Sequence, residues 1–237
     1  MRDAIEAGAM DKNEAYQTGT FDEWIKRDPA TDTYQIYVPP AYDGSEPYGL
    51  LVYINPGDPA NLPSEWFPLF DSFKLIAVAA DNVGNDKPMP RRFQTSMDAL
   101  ATVEKSHKID PARRVVTGLS GGGHMAMVTA ATFPEYFIGA ISHAAQSYLP
   151  APDGLGFGHF PGFTLDQFSA KKRKHLKWIV VSGKEDYNYQ EILDSGTKWE
   201  DNKLNYRFLD VPGMGHHHAK PEPLKEALLW LGLKEVP

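Results

Sequence analysis

A serine with a glycine two positions before it and another two positions after it is the strongest candidate for a catalytic residue in the sequence. Gly118, Ser120 and Gly122 form a G-x-S-x-G pattern, with the apolar run Val115-Val116 before it and a helix-compatible run after it. A serine in a sharp strand-to-helix turn needs glycines at these two positions, because side chains there would block the close approach of the backbone. The turn lifts the hydroxyl above the sheet, and the following helix points N–H groups at a reacting carbonyl. The pattern predicts a serine nucleophile, with a glycine-rich structural turn as the alternative.

The strand–turn–helix context of this serine resembles the α/β-hydrolase family, whose triad follows the order serine, acid, histidine along the chain. After Ser120, the run Val180-Val181-Ser182-Gly183 leads into a loop that is similar to the family's acid loop. The resemblance implies that Asp186 is the acid. Glu185 is the first rival and Asp194 a more distant one, and a solvated loop carboxylate is the structural alternative.

Three consecutive histidines follow the last candidate strand. Gly213-Met214-Gly215-His216 is similar to the family's histidine loop, so the resemblance implies that His216 is the base, while His217 and His218 stay open as alternatives. In this interpretation His216 takes the proton of Ser120, and water then releases the acyl-enzyme without any cofactor. A metal site is the weaker interpretation, because adjacent residues rarely face one ion and no second cluster of carboxylates accompanies them.

The same resemblance implies two N–H donors for the oxyanion of the reaction. One is the N–H of Gly121, the residue after the serine. The other comes from the loop after an earlier strand, where many family members carry His-Gly and this chain carries Asn55-Pro56-Gly57-Asp58. Since Pro56 has no N–H, we expect Gly57 or Asp58 to supply the second donor, with an ordinary Pro-Gly turn as the alternative.

Other residues are candidates for the mouth of the site by position alone. Ligands of open α/β sheets gather beyond the carboxyl ends of the strands. Asn82 follows a buried strand, Trp66 lies soon after the oxyanion loop, and His143 ends the strand after the serine turn. We name these three as candidate substrate-binding residues, each with a purely structural role as the alternative. The aromatic, glycine-rich stretch 153–163 is a further candidate, and the basic run 171–175 is interpreted as a solvated helix face.

The elements that must position these residues follow an alternating pattern. Short apolar and β-branched runs alternate with helical patterns, which is typical of a mostly parallel sheet covered by helices on both faces. The runs are 33–38, 50–55, 75–80, 114–118, 137–142, 177–182 and 205–211. Helical spacing recurs at Phe93, Met97, Leu100 and Ala101 and again at Leu224, Ala227, Leu228 and Leu231. We therefore predict an α/β-hydrolase fold in one domain over 21–237, after a polar leader over 1–20.

The stretch between Ser142 and Lys177 is where this family often inserts a helical lid. Here it is too short for a large lid domain, so we expect an open site with little or no lid. An open site favours small soluble esters or ester groups displayed on a polymer over deeply buried lipid chains.

Composition excludes several classes of function. The 237 residues contain no cysteine, which rules out disulfides, thiolate zinc sites, iron–sulfur clusters and cysteine nucleophiles. A net charge of −7 has the wrong sign for steering toward nucleic acid or anionic lipid. No apolar run approaches the roughly 20 residues of a membrane span. Neither the oligomeric state nor the compartment follows from the sequence, and a cytoplasmic protein and a secreted or periplasmic one with its leader removed both fit.

The run Gly118 to Gly123 and the compact layout are similar to the feruloyl-esterase and polyhydroxybutyrate-depolymerase branch of the family. This resemblance implies a carboxylic-ester hydrolase acting on a small-molecule or polymer-linked ester. Two alternatives stay open. One is a serine peptidase similar to prolyl oligopeptidase, whose large propeller domain has no room in 237 residues. The other is a binding protein that has the same fold and no catalytic activity.

Overall fold

The computed structural model describes residues 26–28, 30, 32–145, 175–201 and 203–236. The predicted leader over 1–20, the stretch 153–163 and residues 171–174 of the basic run lie outside these ranges. Residues 146–174, on which the expectation of a small lid depends, also lie outside them.

Seven strands form one sheet at the centre of the described chain. They are β1 (Tyr34–Tyr37), β2 (Tyr48–Ile54), β3 (Leu75–Ala80), β4 (Ile109–Leu119), β5 (Gly139–His143), β6 (Lys177–Ser182) and β7 (Tyr206–Asp210). Their spatial order is β1-β3-β2-β4-β5-β6-β7. Only β1 pairs antiparallel to its neighbour, and all other pairs are parallel. The predicted mostly parallel sheet is confirmed.

The described ranges contain five α-helices and a short 3₁₀ turn. The turn is Ser64–Trp66, and the helices are α1 (Phe67–Ser72), α2 (Met89–Ser106), α3 (Gly121–Thr132), α4 (Tyr189–Asp201) and α5 (Pro221–Leu231). Helices α2, α3 and α4 pack on one face of the sheet, and α1 and α5 pack on the other. The α/β-hydrolase expectation of helices on both faces is confirmed.

Alternating side chains along the central strands divide the core into two layers. In β2, Leu50 and Val52 belong to the layer under α2, α3 and α4, while Leu51 and Tyr53 belong to the layer under α1 and α5. All seven residues of β2 are buried, as the continuous apolar runs predict for parallel strands covered on both sides. Each fully buried aliphatic side chain of this kind stabilises the fold by about 1.5–3 kcal/mol.

Strand β4 begins earlier than its apolar pattern indicates. The sequence predicts a strand from Arg114, whereas the structure begins it at Ile109, which pairs with Tyr48 of β2. The next pair joins Leu50 to Arg114, so the register shifts and residues 110–113 bulge out of the ladder. A proline is tolerated in such a bulge because its missing N–H removes no ladder hydrogen bond, and this explains Pro111 within the strand.

The parallel strands direct five loops to one edge of the sheet. The loops after β2, β3, β4, β6 and β7 all leave from carboxyl ends, which is where α/β sheets bind their ligands. The candidate residues for chemistry therefore share this edge.

None of the helices in the described ranges is long and apolar enough to span a membrane.

Candidate active site

Ser120 occupies a strained turn between β4 and α3. Its backbone angles are φ 54° and ψ −126°, a conformation that costs a residue with a side chain roughly 1–3 kcal/mol. A Cβ on Gly122 would overlap the carbonyl oxygen of Ile54, and a Cβ on Gly118 would lie 2.6 Å from the same oxygen. The two flanking glycines are thus required by the approach of β2. The structure has the sharp strand-to-helix turn that the motif predicts.

Hydrogen bonds on both sides hold this turn in place. The N–H of Ser120 donates to the carbonyl of His143 in the neighbouring strand (2.9 Å), and its carbonyl accepts from the N–H of His124 in the first turn of α3 (3.1 Å). The serine is therefore anchored to β5 and to α3 at once. A strained residue persists only where its surroundings over-determine it in this way.

Asp186 and His216 lie side by side at the same edge. Nδ1 of His216 is 2.9 Å from Oδ1 of Asp186, and the carboxylate side chain is fully buried while 20% of the imidazole is exposed. Oδ2 of Asp186 accepts from the hydroxyl of Ser182 (2.6 Å), and Oδ1 also accepts from the N–H of Asn188 (3.0 Å). Three donors thus satisfy the buried carboxylate, which is the condition for keeping a charge there. Neither Ser182 nor Asn188 is distinguished by the sequence pattern.

The other two histidines of the run face other partners. Nδ1 of His217 donates to the carbonyl of His218 (2.8 Å), and its Nε2 accepts from the N–H of Gly215 (3.3 Å). Nε2 of His218 lies 2.8 Å from a carboxylate oxygen of Glu65. His216 is therefore the member of the run that is paired with Asp186.

An exposed aromatic ring covers the imidazole of His216. The ring of Tyr187 stacks on it with centroids 4.0 Å apart and an interplanar angle of 26°. Tyr187 is 75% exposed, which is unusual for a residue of this size. No motif in the sequence singles out Tyr187, and its position directly after Asp186 is the one signal that points to it.

Two loops brace each other beside the serine turn. The carbonyl of Pro56 accepts from the N–H of Asn85 (2.8 Å), and the carbonyl of Asp58 accepts from the N–H of Asn82 (2.7 Å). The Asp58 carboxylate accepts from the N–H of Gly84 (3.0 Å) and pairs with Lys87 (2.8 Å). The loop after β2 is thus rigidly held by the loop after β3.

Two backbone N–H groups near the serine turn have no acceptor among the described residues. Gly121 is the first residue of α3, and the first N–H groups of a helix have no intrahelical acceptor. Among the described residues, the N–H groups of Gly121 and of the exposed Gly57 donate to no acceptor. The N–H of Gly121 directly follows the strained serine, where a backbone donor can stabilise a developing negative charge.

His143 and Trp66 differ from their expected roles as substrate contacts. Both are fully buried. Nδ1 of His143 accepts from the N–H of Ala219 (3.3 Å) and its Nε2 lies 3.0 Å from the hydroxyl of Thr117, while the indole N–H of Trp66 donates to the carbonyl of Ala219 (2.8 Å). Burial, together with the nearby His218, lowers the pKa of His143 to about 3, so it is a neutral structural residue. The chain before α5 seals both rings from the surface.

Asn82, the third candidate substrate contact, binds the loop after β2 through its backbone, and Asn85 is the asparagine whose side chain lies at the serine turn. The N–H of Asn82 binds the loop after β2 and its backbone has a positive φ of 63°. The side chain that reaches the serine turn is that of Asn85, which lies against Gly121.

Within the described ranges, no group of three or more metal-ligating side chains could hold a metal ion.

Parts of the sequence are similar to known proteins. The family model named Esterase matches residues 91–202. Poly(3-hydroxyalkanoate) depolymerase C of Paucimonas lemoignei is 48% identical over 46 residues, which are 19% of this chain and 11% of the depolymerase. The chain thus matches only about a tenth of that relative's length.

Solved structures match over most of the chain. The S-formylglutathione hydrolase FrmB of Staphylococcus aureus superposes with a TM-score of 0.66 at 17% identity, over 86% of this chain and 95% of that enzyme. A ferulic acid esterase superposes with a TM-score of 0.60 at 15% identity, over 84% of this chain and 90% of the esterase. These superpositions show that the chain has the α/β-hydrolase fold.

Proposed function

We propose that this protein hydrolyses carboxylic esters through an acyl-enzyme formed on Ser120. The observation that carries the proposal is the 2.9 Å contact between His216 and the buried, fully hydrogen-bonded Asp186, at the same sheet edge as a serine in a strained strand-to-helix turn. A serine, an imidazole and an orienting carboxylate are the parts that nucleophilic acyl transfer requires.

Each residue has a defined role in the proposed reaction. Asp186 binds the Nδ1–H of His216, which leaves Nε2 as the proton acceptor for the Ser120 hydroxyl. The serine oxygen attacks the ester carbonyl, the ester C–O bond breaks, and His216 returns the proton to the departing alcohol. A water molecule, deprotonated by His216, then attacks the acyl-enzyme and releases the acid. The proposed reaction requires no cofactor.

The N–H groups of Gly121 and Gly57 form the proposed oxyanion hole, with that of Asp58 as the alternative second donor. The N–H groups of Gly57 and Asp58 both lack an acceptor among the described residues, and Gly57 is favoured because it is exposed whereas Asp58 is half-buried. Loss of one such donor typically lowers turnover about 10²–10³-fold.

The proposed substrates are small esters or ester groups on a polymer. Two matched proteins are named for such ester bonds, a poly(3-hydroxyalkanoate) depolymerase and a ferulic acid esterase. The net charge of −7 further supports neutral substrates over nucleic acids and anionic membranes.

The test is hydrolysis of p-nitrophenyl esters from acetate to octanoate by the wild type and by Ser120→Ala. Ser45→Ala is the matched control, because Ser45 is an exposed serine in the loop before β2. We expect turnover that favours short acyl chains, is lost in Ser120→Ala and is unchanged in Ser45→Ala. A folded wild type that hydrolyses none of these esters would contradict the proposal, and turnover of aminoacyl amides instead would favour a peptidase.

A further inference from the structure

The residue after the proposed nucleophile has no side chain, and Asn85 fills the space where one would lie. A Cβ on Gly121 would overlap Oδ1 of Asn85 and would lie 2.6 Å from its Cγ and 2.8 Å from its Nδ2. A Cβ is roughly 2.5 Å from the nitrogen of its own residue, so Nδ2 of Asn85 is within about 5.3 Å of the Gly121 nitrogen. The carboxamide is therefore next to the N–H that begins the proposed oxyanion hole.

The backbone of Asn85 is tied to the other side of the same hole. Its N–H donates to the carbonyl of Pro56, the residue directly before Gly57 (2.8 Å). On one side of Asn85, the N–H of Gly84 binds the Asp58 carboxylate, and on the other side Lys87 pairs with the same carboxylate. Asn85 thus bridges the two segments that supply the proposed backbone donors, and its backbone is held between them.

The carboxamide itself has no hydrogen-bond partner in the part of the chain that the structure describes. Asn85 is also exposed. An asparagine amide carries two donors and an acceptor, and Oδ1 and Nδ2 exchange places by rotation of one side-chain bond. This unpaired amide, on a backbone held by the Pro56 carbonyl and next to Gly121, is available to bind an oxygen of a substrate.

We propose that Asn85 is a side-chain donor of the oxyanion hole, acting together with the N–H groups of Gly121 and Gly57. This inference rests on the proposed ester hydrolysis. When Ser120 attacks, the carbonyl π electrons move onto the carbonyl oxygen, and Nδ2–H of Asn85 donates a hydrogen bond to that oxyanion. When the C–O bond to the alcohol breaks, the electron pair returns to the carbonyl. Asn85 gains and loses no proton in either step.

The proposed position of the Asn85 side chain explains why residue 121 is a glycine. A larger residue there would displace Asn85 from the hole, so the small residue and the asparagine form a matched pair. Because the oxyanion exists only in the transition state and the intermediate, a donor aimed at it acts on kcat more than on KM.

The experiment compares Asn85→Ala and Asn85→Asp with the wild type on p-nitrophenyl acetate. Asn85→Asp keeps the shape of the side chain and removes its donors, whereas Asn85→Ala removes both. Ser45→Ala, at the exposed serine in the loop before β2, is the control. We expect kcat to fall roughly 10²-fold in Asn85→Ala and at least as far in Asn85→Asp, with KM changed less than about threefold and the control unaffected.

Two further readouts separate a donor from a packing residue. An aryl trifluoromethyl ketone forms a hemiketal oxyanion on the serine, so its affinity should fall by the same factor as kcat/KM, while Tm stays within a few degrees of the wild type. Asn85→Asp at wild-type kcat, with Ser120→Ala inactive, would overturn this inference and leave the proposed function intact. An inactive wild type would overturn the proposed function itself.

Discussion

Two histidines lie at the same edge of the sheet in opposite environments. His143 closes β5, is fully buried and contacts a hydroxyl and a backbone N–H through its ring nitrogens. His216 follows β7, is 20% exposed and contacts the Asp186 carboxylate. Burial without a charged partner opposes protonation of the His143 imidazole. Both histidines lie at the end of a strand, so this position does not determine their roles. The hydrogen-bond partners of each ring and its access to water determine them.

The replacement of Asp186 is the sharpest way to break this comparison. We expect Asp186→Asn to lower kcat about 10⁴-fold, because an amide can donate to Nδ1 and then stabilises the wrong tautomer of His216. Steady-state hydrolysis of p-nitrophenyl acetate and the rate of labelling by a fluorophosphonate probe measure this. The exposed rival carboxylate supplies the control, since Glu185→Gln should retain wild-type rates. Equal losses in both variants would show that the assignment of the acid is wrong.

Exchanging each histidine for alanine tests whether the two have separate roles. We expect His143→Ala to lower the free energy of unfolding by about 2–4 kcal/mol, because it opens a cavity and leaves the buried N–H of Ala219 unpaired. His216→Ala should instead abolish turnover while changing stability by less than about 1 kcal/mol. Urea unfolding and ester hydrolysis of both variants give the comparison. A His143→Ala protein of wild-type stability would contradict the structural role.

The pH dependence of stability sharpens the same contrast. The pKa of His143 is lowered to about 3 by burial, while an unfolded histidine titrates near 6.5. The unfolded chain therefore binds the proton more readily, so this histidine's contribution to stability is complete above about pH 6.5 and is lost as the pH falls toward 3. The loss reaches as much as about 5 kcal/mol. Urea unfolding of the wild type should show that the free energy of unfolding decreases from pH 7 to pH 4. The same decrease should be smaller in His143→Gln.

Local patterns predict the sheet and the serine turn well. The strands β2 and β3 are buried on both faces, and their continuous apolar side chains predict this burial directly. The turn at Ser120 is predicted by its G-x-S-x-G motif, although the contact that requires Gly118 and Gly122 comes from Ile54 of the distant β2. A motif of this kind records a distant contact in a local pattern, which is why the sequence predicts the turn.

Contacts between distant loops cannot be predicted in this way. Trp66 and His143 are both sealed by Ala219, which lies more than seventy residues from either of them in the chain. The early start of β4 depends on Tyr48 in another strand. Asn85 meets Gly121 only because two loops leave neighbouring strands. In each case the deciding contact is made by residues that no local pattern connects.

Tyr187 offers the finest test of how the environment of a histidine sets its role. Its exposed ring stacks on His216, whereas the buried ring of Trp66 lies 5.2 Å from His143 in a tilted arrangement. An aromatic contact of this type is worth about 0.5–1.5 kcal/mol. Loss of the stack in Tyr187→Ala should therefore lower kcat/KM roughly twofold to tenfold by loosening the imidazole, while Tyr187→Phe keeps the ring and the wild-type rate. Unchanged hydrolysis in Tyr187→Ala would mean that Asp186 alone orients His216.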